Sequence, residues 1–220
     1  MGYMNVRKNN AIIHGLRHFV VGLLLVCYAA AASAETVGAG STHIANALRE
    51  ITQGDTTIYT LVPGAMCPSH YDTRPSDIQQ LSQCAVVLIH PWQRTMPAMR
   101  ATLDAAGKDK QRLIDIQGNW MVPEVQAEAL RAVAGIMAAC HPEEAAVYQQ
   151  RAAARAEAVT AFGARLREAF QKQGMADIPV LAEKMQAPFV AWTGLRVSGS
   201  FGQADAQGAS GPAQLLDKAR

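Results

Sequence analysis

From Glu35 onward, short apolar stretches alternate with segments whose apolar residues recur at helical spacing. Glu35 to Gly40 predicts a first strand. Ser41 or Thr42 can cap a helix running to about Gln53, with Ile44, Ala47, Leu48 and Ile51 on one face. Gly54-Asp55 reads as a turn, and Thr56 to Val62 is β-branched and alternating, the pattern of a strand. Pro63 to Pro75 forms a polar loop, and Pro75-Ser76-Asp77-Ile78 opens a short helix ending near Gln83. Ala85 to Ile89 is continuously apolar, as a parallel strand covered on both faces would be. Thr95 to Ala106 predicts a helix, Leu113 to Ile116 a strand, and Asn119 to Pro123 a loop. Strands alternating with helices in this way imply a parallel sheet with helices on its faces.

After Glu124 the character changes. Ala, Glu, Gln and Arg dominate to Lys172, with Pro142 the sole proline. Val125, Ala129, Ala132, Val133 and Ile136 form one apolar stripe ending at Cys140. His141-Pro142-Glu143-Glu144 then restarts a helix of about 30 residues, or about 45 Å at 1.5 Å per residue. That is too long for an ordinary crossover and suits a rigid spine between two lobes. Asp177 to Ala182 and Leu195 to Phe201 predict strands around a short helix at Lys184 to Thr193. Gln203 to Pro212 is a Gly- and Ala-rich loop, and Ala213 to Arg220 begins a helix. The expected fold is α/β: two parallel-sheet lobes joined by a long rigid helix, with the second lobe incomplete. The expected divisions are a targeting segment at 1–34, a first lobe at 35–140, the linking helix at 141–174, and a truncated second lobe at 175–220.

The first 34 residues carry Arg7, Lys8 and Arg17 and no acid. An apolar run from Phe19 to Ala32 follows, then Ala32-Ser33-Ala34, the small-x-small pattern cut by a signal peptidase. The run falls short of the roughly 20 residues needed to span a bilayer core. Cleavage before Glu35 and a periplasmic location are expected. A lipid anchor on Cys27 is disfavoured by Val26, which stands where such a cysteine takes a small residue. Loss of residues 1–34 leaves 17 basic against 18 acidic residues. A near-neutral chain lacks the basic footprint of a nucleic-acid binder.

Three cysteines remain: Cys67, Cys84 and Cys140. An odd number allows at most one disulfide, and spacing does not fix the pairing. Cys84 and Cys140 lie in apolar stretches and read as small buried hydrophobes, whereas Cys67 lies in the polar loop.

The histidines carry the chemistry. His14 and His18 precede the cleavage point, His43 lies near a helix start, and His141 sits in a turn. His70 follows the second strand, in Cys67-Pro68-Ser69-His70-Tyr71-Asp72, and His90 follows Ala85 to Ile89. Both fall past the carboxyl ends of predicted strands, where open α/β sheets bind ligands. Two imidazoles with Cys67 and Asp72 nearby offer nitrogen, sulfur and oxygen to a borderline metal. Asn119 falls past a third strand end, although an asparagine there also reads as a turn residue. A thiol relay of Cys67, His70 and Asp72 lacks any assurance of geometry. With no nucleophile elbow, phosphate-cradling loop or HExxH motif, an enzyme is not expected.

Several blocks resemble the zinc- and manganese-binding receptors of ABC importers, the periplasmic group classed as cluster A-I. Pro68-Ser69-His70-Tyr71-Asp72-Thr73-Arg74-Pro75-Ser76-Asp77-Ile78 is similar to that family's Pro-His-x-Tyr-Glu-Pro-x-Pro-Ser-Asp. Leu81 to Leu88 resembles the helix and strand that follow it. Gly118-Asn119-Trp120-Met121-Val122-Pro123 is similar to His-x-Trp-x-x-Pro. His141 to Tyr148 resembles Asp-Pro-Glu-Asn-Ala-x-x-Tyr, and Phe189 to Phe201 the start of the second lobe. The resemblance implies two α/β lobes on a backbone helix, a divalent metal in the cleft (zinc, with manganese or iron as variants), an ABC permease as partner, and a monomer. The histidine slots depart from the pattern: Ser69 fills the first with His70 beside it, Gly118 the second with Asn119 beside it, and Glu183 to Gln186 the third. The implied ligands are therefore His70, His90, Asn119 and Gln186, with Cys67 and Glu183 as further candidates. The altered slots also admit a second reading, the same fold binding a metal chelate rather than a bare ion.

Overall fold

The computed structural model describes residues 35–54, 56–64, 66, 68, 71–202, 213, 215 and 217. Residues 1–34, expected to be a targeting segment and including Cys27, lie outside the described residues, as do Cys67, His70, the expected loop at 203–212 and most of the expected helix at 213–220.

Strand β1 (Thr36–Ser41) leads into helix α1 (Thr42–Thr52), and β2 (Thr57–Val62) follows. After the polar loop come α2 (Pro75–Gln83) and β3 (Val86–Ile89), then a 3-10 turn (Pro91–Arg94), α3 (Pro97–Ala106) and β4 (Gln111–Leu113). The four strands are parallel in the order β2-β1-β3-β4, with β1 and β3 at the centre. Their composition explains the placement. Val86, Val87, Leu88 and Ile89 are all buried because helices cover both faces.

Two apolar clusters fill those faces. On one, Val37, Ala39, Val86 and Leu88 pack against Ile44, Leu48 and Ile51 of α1 and against Leu130, Val133 and Met137. On the other, Leu61, Val87 and Ile89 meet Leu81, Met99 and Leu103. The alternation of Val86 and Leu88 with Val87 and Ile89 between the two clusters is the period-2 consequence of the pleat.

The predicted strand at Leu113 to Ile116 lies two residues early, at Gln111–Leu113. Its partner explains the shift. β3 stops at Ile89 because Pro91 has no N–H to extend the ladder, so the register Val87↔Gln111 to Ile89↔Leu113 exhausts the pairing. Ile114 still donates its N–H to Ile89 O at 2.9 Å and is buried, but the chain then leaves the sheet.

Helix α4 (Pro123–Cys140) and the 28-residue α5 (Ala145–Lys172) pack against each other beneath the sheet. Buried Tyr148, Ala152, Ala156, Val159 and Gly163 form the inward stripe of α5. Small side chains let the two helices approach closely. A methyl group on Gly163 would come within 2.7 Å of Pro123 Cγ and 3.0 Å of Trp192 Cζ2. Further along α5, Arg167 lies 5.3 Å over the Trp192 ring. The long helix thus runs from the four-stranded sheet to a smaller unit: β5 (Pro179–Glu183), α6 (Ala187–Trp192) and β6 (Arg196–Phe201), with β5 and β6 parallel. The architecture is α/β with two parallel sheets, a long connecting helix and a second lobe reduced to two strands among the described residues.

The thiols Cys84 and Cys140 are both free. Cys84 is fully buried, and burial raises its pKa to about 11, so it packs as a neutral side chain. His141 pairs with Glu35 at 2.7 Å and Glu143 at 3.6 Å, tying the α4–α5 turn to the start of β1.

Candidate metal site

The carboxyl edge of the central strands holds a buried polar cluster. β1 ends at Ser41, which caps α1 by accepting the Ile44 N–H at 3.4 Å. The same hydroxyl lies 2.8 Å from Nε2 of His90, the first residue past β3. His90 is only 8% exposed. Trp92 stacks on it with ring centroids 5.5 Å apart and planes 16° apart, and Trp120 meets its edge at 4.7 Å. Burial, and next the neighbouring charge of His43, push the His90 pKa down to about 4. The imidazole is therefore neutral at physiological pH, the form that ligates metals.

Gln93 locks this corner. It is fully buried in the 3-10 turn, accepts the His90 N–H at 3.0 Å and donates to Gly40 O at 2.8 Å. A glycine is required at position 40 for space, because a Cβ there would overlap the Gln93 carboxamide.

The loop that carries Cys67 and His70 is anchored at its exit. Asp77 is buried, yet its carboxylate is satisfied by three donors at 2.8 Å: Tyr59 Oη, Tyr71 Oη and Arg74 N. Both phenols have raised pKa values, Tyr71 to about 12, through burial and the hydrogen bond to Asp77. At its entrance, Thr42 Oγ1 donates to Val62 O at 3.5 Å, beside the Ser41↔Val62 pairing. The loop thus departs next to Ser41 and returns through Tyr71.

The other predicted ligands occupy the neighbouring turn. Asn119 Oδ1 accepts the Met121 N–H at 2.7 Å, and its Nδ2 donates to Met185 O at 2.5 Å. Both ends of the carboxamide are engaged, one in its own turn and one on the smaller lobe. Glu183 ends β5, and its Oε2 accepts the Met185 N–H at 2.7 Å. Gln186 lies just before α6, exposed, with its backbone N–H on Glu183 O. Asn119 Nδ2 therefore brings the 183–186 turn of the second lobe against the first. Among the described residues, no three His, Cys, Asp or Glu side chains cluster closely enough to hold an ion.

Ser41, His43, Trp92, Gln93 and Trp120 were not expected at this site. His43, in the first turn of α1, has its ring 6.3 Å from Trp120. Burial also lowers its pKa. It satisfies the strand-end criterion that singles out His70 and His90, because β1 ends two residues before it.

The zinc-uptake complex component A family, described as periplasmic, has a model that matches residues 37–219. No curated protein matches this chain. Among solved structures, ZnuA superposes with a TM-score of 0.71 at 19% identity, over 85% of this chain and 78% of that one. FpvC of P. aeruginosa, in complex with Ni2+, gives 0.70 at 15% identity over 84% and 74%. The Mn-bound periplasmic metal binding protein of Candidatus Liberibacter asiaticus gives 0.64 at 13% identity over 84% and 75%. With a family model covering nearly all of the chain after Thr36 and the same fold in these metal receptors, the protein belongs to the zinc-uptake complex component A family of metal-binding receptors.

Proposed function

We propose that this protein captures a divalent transition metal, zinc foremost, outside the cytoplasmic membrane and delivers it to the permease of an ABC importer. The observation that carries this reading is His90: a buried imidazole kept neutral by its surroundings, at the carboxyl edge of a central strand, in a chain of this family. The neighbours' Zn, Ni and Mn ions support a divalent cargo.

In this reading residues 1–34 direct export and are removed. His90 donates Nε2–H to Ser41 Oγ, and Nδ1 is the ligating atom. A hydrogen bond from the non-ligating nitrogen fixes both tautomer and ring orientation. His70 is a second ligand in this reading, with Cys67 as a further candidate donor, both from the sequence between Val62 and Tyr71. Glu183 closes the shell from the second lobe through the carboxylate oxygen not taken by Met185, with Gln186 beside it. Asn119 acts as a latch that holds the Glu183–Gln186 turn in place, because both ends of its side chain are already engaged. Imidazole and carboxylate donors suit zinc.

The test is metal content of the processed protein after exposure to Zn²⁺, Mn²⁺ and Fe²⁺, beside a His70→Ala/His90→Ala variant. One ion per chain, absent from the variant, is expected. Equal content in both proteins would remove these histidines as ligands, and no bound ion in either would overturn the metal-receptor reading.

A further inference from the structure

We infer that His43 is an additional ligand for the cargo ion, beside His90 at the same sheet edge; this rests on the proposed function. Three observations converge on it. β1 and β3 are the two central strands of the sheet, and their carboxyl ends place His43 and His90 on the same edge. Trp120 touches both rings, with centroids 6.3 and 4.7 Å away. Ser41 connects them a second way, because its hydroxyl contacts His90 Nε2 and also caps the helix whose first turn carries His43.

Helix energetics give His43 no reason to be there. The N-cap role belongs to Ser41, and a cation in the first turn opposes the helix dipole. No hydrogen bond or ion pair among the described residues engages its nitrogens, and it is exposed. It can therefore turn about its side-chain bonds, while His90 is held by Ser41 and two tryptophans. A fixed ligand and an adjustable one would together accept an ion that enters from solvent.

His43 also accounts for the departures at the family's other histidine slots. Gly118 cannot ligate through a side chain, and the Asn119 carboxamide is already engaged at both ends. An imidazole at the end of β1 supplies the nitrogen these positions lack.

The experiment uses the exported protein as processed in the cell, in wild-type, His43→Ala, His90→Ala and Asn46→Ala forms. Asn46 is an exposed neighbour on the same helix and serves as control. Zn²⁺ affinity is measured by competition against a chromophoric chelator, Co²⁺ visible absorption reports the donor set, and circular dichroism melting of the apo-proteins checks the fold. The expected result is a loss of Zn²⁺ affinity of at least about 100-fold in His43→Ala, beyond the 10–100-fold typical of an outer-shell change. Its Co²⁺ spectrum should also change, with the apo-protein melting as wild type and Asn46→Ala unaffected. If His43→Ala keeps wild-type affinity and spectrum while His90→Ala loses both, the inference is overturned and the metal-receptor reading stands. If the wild-type protein binds neither Zn²⁺ nor Co²⁺, that reading fails and this inference with it.

Discussion

Gly40 and Gln93 compete for the same space, and a double-mutant cycle can expose that competition. A methyl group added at Gly40 would overlap Gln93 Oε1 and come within 2.8 Å of Gln93 Cδ and Nε2. Gln93 cannot swing aside, because it is fully buried and held by the His90 N–H and Gly40 O. Overpacking of this kind costs about 1–3 kcal/mol. Gln93→Ala leaves its two backbone partners without their hydrogen bonds, at about 1–3 kcal/mol for each group stranded away from water. In the double variant the alanine methyl of residue 40 enters the space that the carboxamide vacates. Gly40→Ala should therefore be nearly neutral in the Gln93→Ala background, giving a coupling energy of about 2 kcal/mol against additivity. Urea unfolding of the four apo-proteins measures this, provided that the m-values agree. Costs that add to within about 0.5 kcal/mol would refute the steric argument. Zn²⁺ titration of the same set should show weaker binding in Gln93→Ala, because the His90 backbone is no longer tied to β1.

Asp77→Asn keeps the shape but turns an amide NH₂ toward donors, so stability should fall by about 2–4 kcal/mol, read as a lower melting temperature. Tyr71→Phe removes a single donor and should cost about 1 kcal/mol. The His90 pKa lies near 4, below its ordinary value, so the unfolded chain binds a proton that the folded one refuses. Apo-protein stability should be full above about pH 6.5 and fall as pH drops towards 4. His90→Gln should flatten that part of the profile, and an unchanged slope would exclude His90 as its source. Gly163→Val should loosen the meeting of α5 with Pro123 and Trp192 and destabilise by about 1–3 kcal/mol, measured by urea unfolding.

The α/β order could be read from the sequence because each element carries its own periodic signal. Ala85 to Ile89 carries the continuous apolar run expected of a strand covered on both faces, and the alanine-rich, proline-poor run to Lys172 carries the pattern of a long helix. β4 was displaced because its position depends on a partner: Pro91 ends β3, and that fact acts through space on a segment some twenty residues away. His90 was legible at the site because strand ends are. Its neighbours were not, since Ser41, Gln93 and Trp120 acquire their roles only when β1, β3 and the 119–123 turn meet at one edge. The two hydrogen bonds of Asn119 likewise depend on Met121 and on the distant Met185, and no local pattern announces them.

The low pKa of His90 bears on how a receptor of this family can work. A metal competes with protons for an imidazole, so a histidine of ordinary pKa loses affinity as pH falls through about 6.5. With His90 as a ligand in the proposed reading, its burial would move that competition at this nitrogen down towards pH 4, at the expense of acid stability in the empty protein. The two consequences cannot be separated, because the same desolvation produces both. Binding the ion would offset the cost, since a ligand that prefers the folded state adds stability in proportion to the logarithm of its concentration over Kd. The empty protein should therefore be the acid-sensitive form and the loaded one the resistant form. This linkage follows from Ser41, Trp92 and Trp120 enclosing one imidazole, whichever divalent ion the proposed site would hold.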